Sequence, residues 1–312
     1  MTICVAAMCE GGNTIFGASD RMLSGRDVEF EPPQAKVFNL TRSIAILVAG
    51  DTALQMEILL RVKADVDARI KLEPTNWWLL NDVANLYSRY YSEARVKRAE
   101  RAILAPLGMT SDSFLQLQQQ LAPQLVTQLA TELINYEAPV VQTIVLGVDT
   151  TGGHIYVCNN ADVTCQDGVG FAAIGSGSAH ANSVFMFGGH SKWKPMPESF
   201  LMTYFAKKRA EVAPGVGTAT DMLMIGPDLG SYVTIREDAL KKCSDIWDKA
   251  QDKRRELEQE AEKEIINYVQ SISDTSTPPE QAALPEDSSG TKAADEEKAP
   301  YEQPQPEEIG EK

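Results

Sequence analysis

The sequence is short of the residues on which metal sites and disulfide frameworks depend. It has three histidines and five cysteines among 312 residues, and no two cysteines form a Cys-x-x-Cys pair. This scarcity argues against a zinc site and against a disulfide scaffold, and it favours a reducing cytoplasm as the location. We expect the functional site to need neither a metal nor a cofactor.

Long apolar runs and a surplus of basic residues are also missing. No run approaches the roughly 20 apolar residues of a membrane span, and the first residues lack the basic region of a signal peptide. The formal net charge is −15, so the chain has no cationic surplus to neutralise phosphates. We therefore expect neither a membrane protein nor a nucleic-acid-binding protein. With 43% hydrophobic residues, the chain can still bury a sizeable core.

The acidity is concentrated at the end of the chain. Residues 271–312 carry a net charge of −8 and six of the 16 prolines, with almost no large apolar side chain. Such a segment cannot bury enough apolar surface to offset the loss of chain entropy. We predict a disordered acidic tail over residues 270–312. Before it, residues 236–269 carry apolar side chains at alternating spacings of three and four, which predict a long charged helix. That helix either pairs with another along one narrow seam or lies alone on the surface.

Residues 2–235 are predicted to form one domain of short apolar strands and amphipathic helices. The elements come in blocks, which differs from the strict strand–helix alternation of a doubly wound fold. This order favours two antiparallel sheets packed together with helices outside them. The predicted strands are 2–7 and 14–18 around a Glu10–Asn13 turn, 36–40 and 44–49, 139–148, 154–159, 170–174, 222–225 and 232–235; the predicted helices are 54–70, 78–90, 113–136 with a kink at Pro123, 179–187 and 198–212.

The start of the sequence contains a candidate nucleophile. Thr2 follows Met1 directly, and removal of Met1 before a small residue would leave threonine with a free α-amino group. One residue then holds both a hydroxyl nucleophile and a base, because the amine has a reference pKa of roughly 7.7–8. A separate catalytic histidine is not needed, which fits a chain with so few of them.

Three segments carry a resemblance to a known family. They are TICVAAMCEGGNTIFGASDRMLSG (residues 2–25), QAKVFNLTRSIAILVAGDTA (residues 34–53) and GFAAIGSGSAHA (residues 170–181). In order and spacing the chain resembles the β-subunits of the proteasome and the simpler bacterial two-component proteasome-like protease, which are N-terminal nucleophile hydrolases. The resemblance covers about residues 2–235. It implies an α+β fold, a four-layer αββα sandwich, and a threonine-type peptidase without metal or cofactor.

The same resemblance assigns roles to individual residues. Thr2 matches the N-terminal nucleophile, and Lys36 matches the lysine that eases deprotonation of its hydroxyl. Asp20 matches the carboxylate that keeps that lysine charged and oriented. Gly50 matches the glycine whose backbone N–H points at the developing oxyanion, and Ser176 matches the serine that hydrogen-bonds near the terminal amine.

Several neighbouring residues are expected to have other roles. Glu211 and Asp221 both lie near the place of the family's third acidic residue, and neither is assigned to the site. Asp51 is expected to cap the helix that follows it. The side chains expected to flank the site as a modest apolar pocket are Leu23, Val48 and Thr52.

The main hypothesis is therefore a cytoplasmic peptidase that cleaves peptides or unfolded proteins through a Thr2 acyl-ester. Sites of this family face the inside of a ring, so we expect a homo-oligomer, with an ATP-dependent unfoldase as a candidate partner. One alternative is an amidase or acyl transferase of the same fold that acts on small molecules. Another is a catalytically inactive proteasome-like scaffold in which Lys36 and Asp20 are merely inherited.

Overall fold

The structure, a computed structural model, describes residues 2–24, 29–32 and 36–275. Met1, whose removal the nucleophile hypothesis requires, and residues 276–312 of the predicted tail lie outside this range. The chain divides into two compact units, and the boundary between them follows Asp252. The candidate site belongs to the first unit.

The described residues form twelve β-strands and seven α-helices. The strands are β1 (Cys4–Cys9), β2 (Thr14–Ser19), β3 (Leu23–Ser24), β4 (Glu29–Phe30), β5 (Val37–Asn39), β6 (Ile44–Gly50), β7 (Val141–Asp149), β8 (Gly152–Asn159), β9 (Asp162–Cys165), β10 (Phe171–Ile174), β11 (Asp221–Ile225) and β12 (Tyr232–Thr234). The helices are α1 (Thr52–Leu72), α2 (Leu80–Ala99), α3 (Ser111–Leu117), α4 (Pro123–Ile134), α5 (Ser178–Phe187), α6 (Met196–Ala210) and α7 (Glu237–Thr275).

Ten of these strands form two antiparallel sheets. Sheet I has the strand order β10–β1–β2–β11–β12, and sheet II has the order β5–β6–β7–β8–β9. The two predicted hairpins are confirmed, because Cys4 pairs with Ser19 in β1–β2 and Val37 pairs with Leu47 in β5–β6. The short strands β3 and β4 pair only with each other among the described residues. The fold is therefore mixed α and β with two antiparallel sheets.

Three large clusters of buried apolar side chains hold the sheets and helices together. In β1, Val5 and Ala7 pack in the cluster with α5, α6 and the start of α7, whereas Cys4 and Ala6 pack in the cluster shared with sheet II. Strand β6 alternates in the same way, between the shared cluster and the cluster with α1 and α2. Because successive side chains of a strand point to opposite faces, a strand buried on both faces reads as a continuous apolar run.

The prediction of a single kinked helix over residues 113–136 is wrong. Helix α3 ends at Leu117, and α4 begins at Pro123. Proline has no N–H and its ring clashes with the preceding turn, so it takes the first position of a new helix, where no intrahelical donor is required. The two helices pack on their own small cluster, in which Leu104, Phe114 and Leu129 are buried.

The long charged helix is confirmed, with a later end than predicted. Helix α7 continues to Thr275, so residues 270–275, which were predicted to be disordered, are helical. Its apolar residues in the first unit, Leu240, Cys243 and Trp247, pack against the cluster with α5 and α6. Its apolar residues within the described part of the second unit are exposed. None of the helices in the described ranges is long and apolar enough to cross a membrane.

Strand β9 was not predicted from the sequence. It has four residues, lies at the edge of sheet II and is mostly exposed, so its segment lacks the apolar run of a buried strand. Asn160, with φ +55°, makes the turn that joins it to β8. Asparagine is one of the few residues besides glycine that adopts this conformation readily.

Candidate active site

Thr2 lies just before β1, between the two sheets. Alternation along the chain places its side chain on the same face as Cys4, toward sheet II. Lys36 enters this space from the residue before β5, and Asp20 enters from the residue after β2. Thr2 is 3% exposed, Lys36 is 8% exposed and Asp20 is completely buried. The fold thus brings together three of the residues singled out in the sequence.

The side chains of these three residues form a closed hydrogen-bonded triangle. Lys36 Nζ donates to Thr2 Oγ1, and it donates to Asp20 Oδ1 at 2.8 Å. The hydroxyl of Thr2 donates in turn to Asp20 Oδ1. The positively charged Lys36 ammonium therefore lies next to the Thr2 hydroxyl oxygen. This charge would stabilise the oxygen in its deprotonated, alkoxide form.

Backbone donors complete the environment of the Asp20 carboxylate. The Ile3 N–H donates to Oδ1 at 3.0 Å. The Met22 N–H and the Gly217 N–H donate to Oδ2 at 3.1 Å and 3.0 Å. Burying a carboxylate is costly unless its oxygens are paired and hydrogen-bonded. With a cation, a hydroxyl and three amides as partners, Asp20 is held in one orientation.

Ser176 lies on the other side of Thr2, in the loop after β10. The backbone N–H of Thr2 donates to Ser176 Oγ at 3.3 Å, and the Gly177 N–H donates to Thr2 O at 3.4 Å. Gly175 has φ +93°, and a Cβ on it would lie 2.3 Å from Thr2 O, so this position requires glycine. The side chain of Gln142, on β7, fixes the loop by accepting from the Gly175 N–H at 2.9 Å.

Gly50 ends β6 at the edge of the same space. Its φ is +108°, and a Cβ there would lie 2.2 Å from Val140 O, so glycine is required for two reasons. The Val48 N–H donates to Lys36 O at 3.3 Å. Since alternate N–H groups of a strand point to the same side, the N–H of Gly50 points to the edge of β6 where Lys36 lies.

Gln55 fixes the peptide unit that carries the N–H of Gly50. The sequence analysis did not predict this role for Gln55. Its Nε2 donates to Ala49 O and to Gln142 O, both at 3.1 Å. The Tyr87 hydroxyl donates to its Oε1 at 2.7 Å. The C=O and N–H of one trans peptide point in opposite directions, so holding the carbonyl of Ala49 also orients the N–H of Gly50.

The acidic residues left outside the predicted site have partners of their own. Asp51 caps α1 as expected, because its side chain accepts from the Leu54 N–H at 2.7 Å. Asp221 accepts two hydrogen bonds from the Arg21 guanidinium, at 2.6 Å and 2.9 Å. Glu211 accepts from two lysines of α6, Lys207 and Lys208. The triangle around Thr2 is made without Glu211 or Asp221.

A second buried lysine, also missed in the sequence, lies behind Asp20. The Lys207 side chain is completely buried, and its Nζ donates to Glu211 Oε1 at 2.6 Å, to Gly217 O at 3.0 Å and to Thr218 O at 2.9 Å. Burial lowers the pKa of Lys207 below the usual lysine value, and the neighbouring Glu211 carboxylate works against that shift. Glu211 also accepts from Lys208, at 2.7 Å.

A small cavity opens next to Thr2 and Lys36. Its volume is about 70 Å³. Cys4 is buried, and its thiol donates to the carbonyl of the lining residue Val48 at 3.4 Å. Burial raises the pKa of the Cys4 thiol far above its usual range, so this thiol stays protonated and unreactive. The other lining residues are mainly apolar and include the three expected pocket residues: Met22, Leu23, Val48, Ala49, Gly50, Thr52 and Gln55.

No protein-family model and no curated protein matches the chain. Within the described ranges, no group of three or more histidine, cysteine or acidic side chains is placed to hold a metal ion. The geometry of the site shows which groups it brings together. The Thr2 hydroxyl contacts an ammonium and a carboxylate beside a backbone N–H and a small cavity, and these are the groups that nucleophilic attack on a carbonyl carbon requires.

Proposed function

We propose that the protein is a threonine-type peptidase of the N-terminal nucleophile hydrolase class, with Thr2 as the nucleophile after removal of Met1. The observation that carries this proposal is the triangle in which Lys36 and Asp20 both contact Thr2 Oγ1 in a buried space beside the cavity. Lys36 and Asp20 also contact each other directly at 2.8 Å, so the Thr2 hydroxyl is hydrogen-bonded to both members of a buried ion pair.

In the proposed reaction the Thr2 hydroxyl, which donates to Asp20 Oδ1 in the structure, first turns and transfers its proton to the free α-amine of Thr2. The Oγ1 atom attacks the carbonyl carbon of the scissile amide, while the Lys36 ammonium stabilises the negative charge on the attacking oxygen. The N–H of Gly50 donates to the oxyanion of the tetrahedral intermediate. The leaving amine takes the proton from the α-ammonium, and water then hydrolyses the acyl-ester. Ser176, which contacts the Thr2 nitrogen at 3.3 Å, orients the amine.

The packing of the first unit supports the fold that this class implies. One apolar cluster joins the two sheets, one joins sheet I to α5, α6 and the start of α7, and one joins sheet II to α1 and α2. We infer from these three clusters a four-layer αββα sandwich. The proposal further includes a homo-oligomer, a cytoplasmic location and an ATP-dependent unfoldase that delivers unfolded protein.

Mass spectrometry after exposure to a β-lactone tests the nucleophile directly. We expect Met1 to be absent and the adduct to map to Thr2. The Thr2→Ala variant should form no adduct and should lose at least about 1,000-fold in turnover, as expected for removal of a nucleophile. Thr2→Ser, which keeps a hydroxyl, is the matched control and should still be labelled. Normal turnover by Thr2→Ala, or a processed protein that the lactone does not label, would refute the proposal.

The size of the cavity favours one other function, hydrolysis of a small amide or acyl transfer from it. Its volume of about 70 Å³ is well below the roughly 300–1,000 Å³ of pockets for drug-sized ligands. The acyl-enzyme chemistry would be the same, and only the substrate would differ. Turnover of a small free amide without cleavage of peptides or unfolded protein would favour this second function. Purified protein that uniformly retains Met1 would instead indicate an inactive scaffold.

A further inference from the structure

Among the residues that the structure describes, one buried lysine ammonium is not used by the proposed reaction. Lys207, on α6, has a fully buried side chain. A buried ammonium is expensive unless all three of its protons are donated. Glu211 takes one of them, and the carbonyls of Gly217 and Thr218 take the other two. The two carbonyl contacts connect Lys207 with the loop between α6 and β11.

That loop contacts one member of the reactive triangle, Asp20, and one neighbour of the triangle, Ser176. The N–H of Gly217 donates to Asp20 Oδ2 at 3.0 Å. The hydroxyl of Ser176 lies 3.4 Å from Pro214 O as well as 3.3 Å from Thr2 O. The loop therefore contacts the partners of both the hydroxyl and the nitrogen of Thr2.

Gly217 is the point at which anchoring has the largest effect. Glycine has the widest choice of backbone conformations, so the direction of its N–H is poorly fixed by its own geometry. Here its carbonyl is held by Lys207, and its N–H is held by Asp20. The two contacts are made by successive peptide units that share the Cα of Gly217. Without the ammonium, the carbonyls of Gly217 and Thr218 would lose their donor, and this Cα would be held only through the N–H that donates to Asp20.

We propose that Lys207 is a positioning residue of the active site, which fixes the loop at Gly217 and Thr218 so that Asp20 presents Oδ1 to Lys36 and Thr2. The inference rests on the proposed function. It assigns Lys207 no contact with substrate or with the reacting atoms. Its ion pair with Glu211 offsets the cost of burying the charge, and its carbonyl contacts carry the positioning role.

The test is a comparison of Lys207→Met with Lys208→Met, assayed with a fluorogenic peptide amide. Methionine keeps the length of the buried side chain and removes the ammonium. Lys208, its neighbour on α6, also pairs with Glu211, so its variant is the matched control for loss of that ion pair. The number of competent sites is counted by β-lactone labelling of Thr2, and kcat is expressed per labelled site.

We expect Lys207→Met to lower kcat per labelled site by about 10- to 100-fold, the effect of a displacement of up to about 1 Å in a reacting group. KM should stay within about two-fold, because substrate contacts are unchanged. Lys208→Met should keep the kcat of the unmodified protein. A merely structural lysine would instead reduce the number of labelled sites and leave kcat per site as it was, and that result would overturn the inference.

A second variant covers the case in which Lys207→Met does not fold. Lys207→Gln keeps a neutral donor for one carbonyl, and we expect it to fold with kcat per site between those of Lys207→Met and the unmodified protein. An unchanged kcat in Lys207→Gln would then overturn the inference. Failure of the unmodified protein to be labelled or to turn over refutes the proposed function. If the unmodified protein and the Lys207 variant have the same kcat per labelled site, the positioning role of Lys207 is refuted and the proposed function is not.

Discussion

Replacing Gly50 with alanine tests whether the end of β6 is fixed as tightly as the reaction requires. The backbone of Gly50 has φ +108°, a conformation that residues with a Cβ rarely adopt. The added Cβ would lie 2.2 Å from Val140 O, against 3.4 Å or more in ordinary contacts. Val140 O is a backbone atom, so it cannot turn aside as a flexible side chain could. The segments that contain Gly50 and Val140 must therefore move apart by roughly 1 Å to relieve the overlap.

The expected cost has two parts. The positive φ costs about 1–2 kcal/mol for a residue other than glycine, and the forced separation of packed groups costs about 1–3 kcal/mol. Together, Gly50→Ala should lower the free energy of unfolding by about 2–5 kcal/mol. Gly152→Ala is the matched control, because Gly152 has φ +126° and no atom within 4 Å of the place of a Cβ. Its cost should be limited to the first part.

Urea denaturation and peptide turnover separate these effects. We expect Gly50→Ala to lower kcat by about 100-fold, since a displacement of about 1 Å at a reacting centre has an effect of that size. Gly152→Ala, at the far end of sheet II, should leave kcat unchanged. If Gly50→Ala proved as stable as Gly152→Ala and kept full turnover, the close approach to Val140 and the oxyanion role of Gly50 would both be wrong.

Two further outcomes test the electrostatics of the buried groups. Lys36→Met leaves Asp20 without its cation and should lower the free energy of unfolding, measured by urea denaturation, by about 3–5 kcal/mol. Adding Asp20→Asn removes the unpaired charge and should recover part of that loss. No recovery in the double variant would contradict the pairing of Lys36 with Asp20. Burial raises the pKa of the Cys158 thiol from 9.0 to about 12. Because the folded state holds this proton more tightly, its contribution to stability is complete below pH 9 and is lost as the pH rises toward 12, at about 1.4 kcal/mol per pH unit. Cys158→Val should reduce that slope between pH 9 and 11, and equal slopes would show that the thiol is not the group responsible.

The strands could be predicted where both of their faces are buried. In β1 and β6 every side chain is apolar or small, because each face meets a different cluster, and a continuous apolar run bounded by turn residues is distinctive. The ends of elements were harder to predict. Pro123 could be read as a kink or as a helix start, and only the separate packing of α3 and α4 decides between them.

Some residues of the site could likewise be predicted from the sequence, and others could not. Hairpin geometry places Thr2 beside Asp20 in sheet I and Lys36 beside Gly50 in sheet II. The two pairs meet because the sheets pack together, and the roles of these residues were predicted from the family resemblance. The residues that hold them in place could not be found this way. Gln55 acts on Ala49 through the interior, 6 residues away in sequence, and on Gln142 across 87 residues.

Polar helical residues such as Gln55 and Lys207 usually face water. Nothing in the local pattern around them marks burial, since their neighbours on α1 and α6 include other charged and polar side chains. Their roles depend on which distant backbone groups the fold places opposite them, and a single sequence does not record those contacts.

The span of the chain that meets at Thr2 has a consequence for biosynthesis. Thr2 bonds to Ser176 across 174 positions, and Asp20 bonds to Gly217 across 197. When only the first hairpin of a nascent polypeptide has emerged from the ribosome, Lys36, Ser176 and Gly217, which contact the Thr2 hydroxyl, the Thr2 nitrogen and Asp20, are still missing. Contacts of such long range also form slowly. The cluster is completed only after the loop at Gly217 has left the ribosome, so a translating chain does not yet present the assembled nucleophile to its surroundings.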